Sequence, residues 1–102
     1  MAARRAMQIK KSAGFVRAYK RYIRKLNNRQ FTEVCRRLRL FEKNWKDPKL
    51  ETHKLKNADE KWAFTVLHDA ARNDRVVFIF AMKGEEIWLL NIGSHDVVYR
   101  KS

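Results

Sequence analysis

Histidines at 53, 68 and 95, an arginine at 75 and a tyrosine at 99 are the side chains of this chain best suited to chemistry. Their spacing excludes several kinds of site. No two histidines stand at helical spacing and no Cys-X-X-Cys accompanies them, so neither a metal centre nor any other cofactor is expected. There is no glycine-rich phosphate loop and no Gly-X-Ser-X-Gly turn, and the lone Cys35 falls in an apolar helical stripe, not in an exposed electropositive turn. What remains is chemistry by bases and cations alone. Cleavage of RNA is the natural case, because the substrate's own 2′-hydroxyl is the nucleophile. The protein need only take one proton, give another and neutralise charge developing on the phosphate.

A histidine performs either proton transfer near neutral pH, and an arginine holds non-bridging phosphate oxygens. His95 and Arg75 supply these types. Arg75 opens one expected strand and His95 comes just after the end of the next, and antiparallel neighbours bring the start of one beside the end of the other. Tyr99 can stack on a base or bring its hydroxyl to the phosphate. His53 and Lys54, in the loop before an earlier strand, would approach from the other side. Each also has an ordinary reading: His95 as a turn residue beside Asp96, Tyr99 as a cap on the sheet core, Arg75 as the ion-pair partner of Asp74 or Glu85. His68 beside Asp69 has the composition of a dyad, although adjacent loop residues seldom face each other.

Periodicity gives the elements on which these groups are carried. Met7 to Lys11 alternates as a short strand, and Ser12 offers an N-cap to the helix after it. Phe15, Val16, Tyr19, Tyr22, Ile23 and Leu26 form one face of that helix, with Arg17, Lys20, Arg21, Arg24 and Lys25 on the other. Asn27-Asn28 breaks the pattern, and a second stripe runs through Phe31, Val34, Cys35, Leu38, Phe41 and Trp45, with Arg36 and Arg37 beside it, until Asp47-Pro48 ends the helix. Leu50 to Asp59 reads as a polar loop with Leu55 as its apolar anchor. The period then changes to two: Trp62, Phe64 and Val66 fall on one strand face, Ala63, Thr65 and Leu67 on the other. A polar loop from His68 to Asp74 leads to a continuous apolar strand, Arg75 to Phe80. Lys83-Gly84 makes a hairpin turn, and Glu86 to Ile92 is a further strand. The expected architecture is α+β: one small domain over 7–102, with an antiparallel sheet of about four strands, an N-terminal strand and a two-helix hairpin packed on one face. Residues 1–6 read as a frayed extension.

Charge points to the partner. The chain carries 24 Lys and Arg against 11 Asp and Glu, net +13 over 102 residues. The surplus is confined to residues 1–46, where fifteen basic residues meet two acids, while residues 47–102 balance nine with nine. Ordinary solvated faces mix signs, so a polyanion is implied, with nucleic acid first and an acidic membrane or acidic protein next. Arg17, Lys20, Arg21, Arg24, Lys25, Arg36 and Arg37 are the candidate RNA-binding cations. No apolar run is long enough to span a bilayer, the start lacks a secretory signal, and a single cysteine permits no internal disulfide. A soluble cytoplasmic protein is expected.

The order of strand, two basic helices, His53-Lys54-Leu55 loop, Trp62-Ala63-Phe64 strand, Arg75-Val76-Val77-Phe78 strand and Gly93-Ser94-His95-Asp96-Val97-Val98-Tyr99 tail resembles the RelE superfamily of bacterial and archaeal toxins, and most of all its YafQ-like branch. The resemblance runs through nearly the whole chain from Met7. It implies a metal-independent endoribonuclease that enters the ribosomal A site, cuts translated mRNA and is silenced by a cognate antitoxin. By the same resemblance His95 is an acid or base, Arg75 contacts the phosphate, Tyr99 is the terminal aromatic and His53 is the loop histidine. The chain also departs from the family. Ala63 and Thr65 stand where the RelE type has lysines, Val66 aligns with a histidine of the YafQ-like branch, and Arg75 aligns with its tryptophan. The general base is therefore open among His53, His68 and Asp69.

Two other functions fit the same residues. A ParE-like relative would share the fold and poison DNA gyrase without nuclease activity, although the pairing of His95 with Tyr99 argues for catalysis. A non-catalytic basic RNA-binding protein would use the helices alone. Salt does not discriminate among them, since every polyanion binder weakens as salt rises.

Overall fold

The structure, a computed structural model, describes residues 8–55, 60–69 and 74–94. Strand β1 (Gln8–Lys11) feeds into helix α1 (Ala13–Ile23) through Ser12, whose hydroxyl accepts the Phe15 N–H at 3.0 Å. The cap takes up one of the N–H groups that a helix start leaves without a helical partner. Helix α2 (Asn28–Lys43) begins reciprocally: Asn27 Oδ1 accepts the Gln30 N–H at 2.8 Å, and Gln30 Oε1 accepts the Asn27 N–H at 3.0 Å. The asparagine that interrupts the apolar pattern is thus the cap of the second helix.

Helix α2 stops at Lys43, short of the expected Asp47-Pro48 boundary. Asn44 is extended at φ −157° and ψ 97°, and its side-chain oxygen accepts the Lys46 N–H at 3.1 Å. Asparagine competes with the helix through such local bonds. Trp45, last in the apolar stripe, leaves the helix and lies edge-on against Trp62, with ring centroids 5.4 Å apart.

Strands β2 (His53–Lys54), β3 (Lys61–Asp69), β4 (Asp74–Lys83) and β5 (Glu86–Ser94) complete one five-stranded sheet, ordered β1-β5-β4-β3-β2. The pairs β2–β3, β3–β4 and β4–β5 are antiparallel, whereas β1 lies parallel to β5 at the edge. The sheet is therefore mixed, within the expected α+β class. Gly84, at φ 60°, turns β4 into β5.

Two expected loops are partly strand. His53 and Lys54 pair with Ala63 and Trp62, and His68–Arg75 and Asp69–Asp74 extend the β3–β4 ladder beyond the apolar residues. Ladder hydrogen bonds use backbone groups, so they tolerate polar side chains wherever one face meets solvent. The reading of residues 1–6 as an extension falls outside the described residues.

A β-bulge decides which residues meet the helices. Strict alternation would set Leu67 opposite Phe64 and Val66. The ladder instead pairs Thr65 with Val77 and Leu67 with Val76, so Val66 is the extra residue, and Phe64, Val66 and Leu67 all enter the core with Phe15, Val34 and Phe41. Helix α1 packs over β5 and α2 over β3. Phe41 stacks on Phe64 with centroids 4.0 Å apart, and Phe15 meets Phe78 edge-on at 5.2 Å. Such ring pairs contribute about 0.5–1.5 kcal/mol each beyond the area they bury. The reverse face of the sheet carries a smaller cluster, Leu55, Ala63 and Val77 with Ile79 against it, and this leaves the start of β4 open.

Candidate functional site

Cross-strand partners share a face of a sheet. Leu67 and Val76 are partners and both pack under the helices, so the next pair, His68 and Arg75, lies on the opposite, open face. His53 is on that face too, since it pairs with Ala63 of the reverse-face cluster. Three residues far apart in sequence are thus gathered on one side of the sheet.

A fourth residue joins them. Glu51 accepts a hydrogen bond from Arg75 Nη1 on Oε2 at 2.9 Å, and its Oε1 lies 3.3 Å from His68 Nε2, an ion pair when the imidazole is protonated. Its backbone carbonyl lies 2.8 Å from His53 Nδ1. A carbonyl only accepts, so Nδ1 of His53 carries a proton, and in the neutral ring the lone pair is on Nε2. That Nε2 is buried, which holds it away from a ligand entering from solvent.

The strap that places Glu51 is built locally. Asp47 Oδ1 accepts the Lys49 N–H at 2.9 Å and starts a 3-10 turn, Pro48–Leu50, whose Leu50 is fully buried. Glu51 comes next in the left-handed region, φ 53° and ψ 39°, and Thr52 Oγ1 donates to the Trp45 carbonyl at 2.6 Å. Arg37 fastens the turn to α2, with Nε on Glu33 Oε2 at 2.9 Å and Nη1 donating to the Lys49 carbonyl. Glu51 is not among the sequence candidates. Its one local signal is an acid two residues before His53, and its partners are 17 and 24 residues further on.

The remaining candidates divide. His95 and Tyr99 lie outside the described residues, and the last described pair of the β4–β5 ladder is Val76 with Ser94, one residue from Arg75 and from His95 respectively. Lys54 is not brought to the His53 face: it pairs with Trp62, whose ring lies with the helix-side core. Only the backbone of Asp69 is described, as the end of β3, and His68 is engaged with Glu51.

Of the candidate RNA-binding cations, Arg17, Lys20, Arg21, Arg24, Lys25 and Arg36 are exposed. Arg37 is not a surface grip, since 19% of its side chain is exposed and its guanidinium is spent on Glu33 and the 3-10 turn. A cleft of about 600 Å³ opens where the turn between the helices overhangs the ends of β4 and β5, floored by Leu26, Leu67, Val76 and Ile92 and rimmed by Arg21 and Lys25. Deeper in the helix layer, burial pushes the Tyr19 hydroxyl above its ordinary pKa, and the neighbouring Cys35 thiol adds to this. Among the described residues no three His, Cys, Asp or Glu side chains are grouped to hold a metal ion, and no helix is long and apolar enough to cross a membrane.

No protein-family model matches the chain, and no curated protein matches it in sequence. Solved structures do match in fold. YafQ from E. coli superposes with a TM-score of 0.68 at 13% identity, over 90% of this chain and 97% of that one. The conserved hypothetical protein HP0894 from Helicobacter pylori gives 0.62 at 23% identity, over 88% and 96%. A structure of the E. coli DinJ-YafQ toxin-antitoxin complex gives 0.64 at 13% identity, over 93% and 99%.

Proposed function

From the RelE/YafQ-like toxin fold that this chain adopts, we propose that it is the toxin of a type II toxin–antitoxin system, a metal-independent endoribonuclease that cleaves mRNA in the ribosomal A site and so inhibits translation. The observation that carries this reading is the convergence of His68 and Arg75 on a single carboxylate at the open face of the sheet, with His53 on the same face. A site for cleaving RNA needs donors for the non-bridging phosphate oxygens and imidazoles for the two proton transfers, and these residue types supply both.

In this mechanism the 2′-hydroxyl of the message attacks the adjacent phosphate. Arg75 neutralises charge on the non-bridging oxygens through its guanidinium fork. His95, one residue beyond the last described ladder pair, gives the proton to the leaving 5′-oxygen, and a second base removes the proton of the 2′-hydroxyl. His53, His68 and Asp69 are the candidates for that second role, and the Nε2 of His53 is buried. Tyr99 positions a nucleotide by stacking or by its hydroxyl. Arg17, Lys20 and Arg21 of α1, Arg24 and Lys25 just past its end, and Arg36 of α2 grip ribosomal RNA, so that the sheet face is presented to the message.

A protein antitoxin is the expected regulator, supported by the toxin–antitoxin complex among the structures of the same fold. It would be acidic or amphipathic to meet the basic helices. The site of action is the cytoplasm, where translation takes place. The test is induced expression of wild-type and His95→Ala chains in bacteria, with message ends mapped by primer extension. Growth arrest with new ends inside reading frames, from wild type only, is the expected result. Arrest without new ends would reject the ribonuclease and favour a gyrase poison.

A further inference from the structure

We propose that Glu51 is a resident carboxylate in an oxyanion site, held where a phosphodiester of the substrate binds, and that RNA displaces it. The inference rests on the reading that Arg75 acts on phosphate, and adds the group that occupies the site at rest. Each oxygen of Glu51 faces one cationic group: Oε2 accepts a bond from Arg75 Nη1 on β4 at 2.9 Å, and Oε1 lies 3.3 Å from His68 Nε2 on β3. The two non-bridging oxygens of a phosphodiester make the same demand, and the same donors serve either anion.

The strap around Glu51 is arranged to present its carboxylate and to release it. Leu50 is fully buried on one side, and Thr52 is bonded to the Trp45 carbonyl on the other. Between them Glu51 adopts a left-handed backbone, which residues with a side chain seldom take and which here turns the side chain onto the sheet face. The side chain itself is 41% exposed, against 55% for His68 and 38% for Arg75. It can therefore swing into solvent while its backbone stays anchored. Ion pairs this exposed are weak and screened by salt, so a polyanionic strand already held by the basic helices outcompetes a single carboxylate. At rest, the cations of the helices remain open to RNA while Arg75 and His68 of the sheet are paired with Glu51.

The test reads binding instead of cleavage. A 2′-deoxy single-stranded hexanucleotide, which offers phosphates without the 2′-hydroxyl nucleophile, is titrated into the wild-type chain and into Glu51→Gln while the His68 imidazole signals are followed by NMR. Glu51→Gln should bind about fivefold more tightly, the worth of one exposed ion pair, and Arg75→Ala in the same background should remove the gain. Equal or weaker binding by a Glu51→Gln chain that melts at the wild-type temperature overturns the proposal. A second measurement needs no variant: in the wild-type chain the Glu51 carboxyl carbon signal should shift together with His68 as the oligonucleotide is added. A carboxyl signal that stays in place while His68 shifts overturns it equally. Neither measurement depends on cleavage, so a chain that cuts no message can still hold this site, and an active ribonuclease can still fail it.

Discussion

His68 and Arg75 stand opposite one another at the ends of β3 and β4, and the bulge at Val66 is what puts them there. Without the extra residue, Leu67 would lie opposite Arg75 and His68 would turn toward the helices. A one-residue slip reverses every side chain beyond it. The same irregularity that completes the hydrophobic core therefore delivers a histidine to the open face beside an arginine, where Glu51 joins both.

Arg75→Ala should lower the cleavage rate on ribosome-bound message by about 10²–10³-fold, the usual effect of removing one donor to a developing oxyanion. Its bond to Glu51 is solvent-exposed, so stability should change by no more than about 1 kcal/mol. Arg75→Lys restores a charge without the fork and should recover only part of the rate. Single-turnover cleavage and thermal unfolding of the three chains check this, and a rate loss matched by a collapse in melting temperature would count against a direct role.

Arg37 on α2 and Lys25 in the turn after α1 are both basic, and their substitutions should separate. Arg37→Ala breaks the tie between α2 and the 3-10 turn and should cost about 1–2 kcal/mol of stability. Lys25→Ala should leave the melting temperature unchanged while making the dependence of log affinity for single-stranded RNA on log salt shallower by about 0.7. Urea denaturation and salt titrations distinguish the two, and the prediction fails if Lys25→Ala moves the urea midpoint or Arg37→Ala leaves it in place.

Phe64→Ala should destabilise the chain by about 3–5 kcal/mol, because the fully buried ring stacks on Phe41 and fills the space between α2 and the sheet. Phe31→Ala, at a ring 41% exposed, should stay within about 0.5 kcal/mol of wild type. Denaturant midpoints of the two variants give the comparison directly, and similar losses for both would mean that the core is not centred where the structure has it.

Much of the fold is legible in the residues because it rests on local chemistry. The Ser12 cap, the apolar stripes of both helices and the Gly84 turn each depend on residues within a few positions of one another. The end of α2 falls one turn before its expected place, because the apolar stripe continues to Trp45 while Asn44 has already left the helix. His53-Lys54 and His68-Asp69 read as loops for a related reason. His53 and His68 lie on the open sheet face, and local composition does not tell an exposed strand end from a turn.

Sequence alone was enough for the inventory of chemistry: imidazoles and a guanidinium without metal-ligand spacing, an α+β order of elements, and a basic surplus confined to residues 1–46. It also set Arg75 at the start of a strand whose antiparallel neighbour ends near His95. Which of these groups meet depends on tertiary packing. A bulge shows no distinct pattern in a run such as Thr65-Val66-Leu67, where every residue is compatible with either face. The Glu51 carboxylate reaches His68 and Arg75 only because a buried Leu50 and a left-handed backbone turn the strap onto the sheet. Contacts across 17 and 24 residues are set by register and packing, which no local spacing encodes.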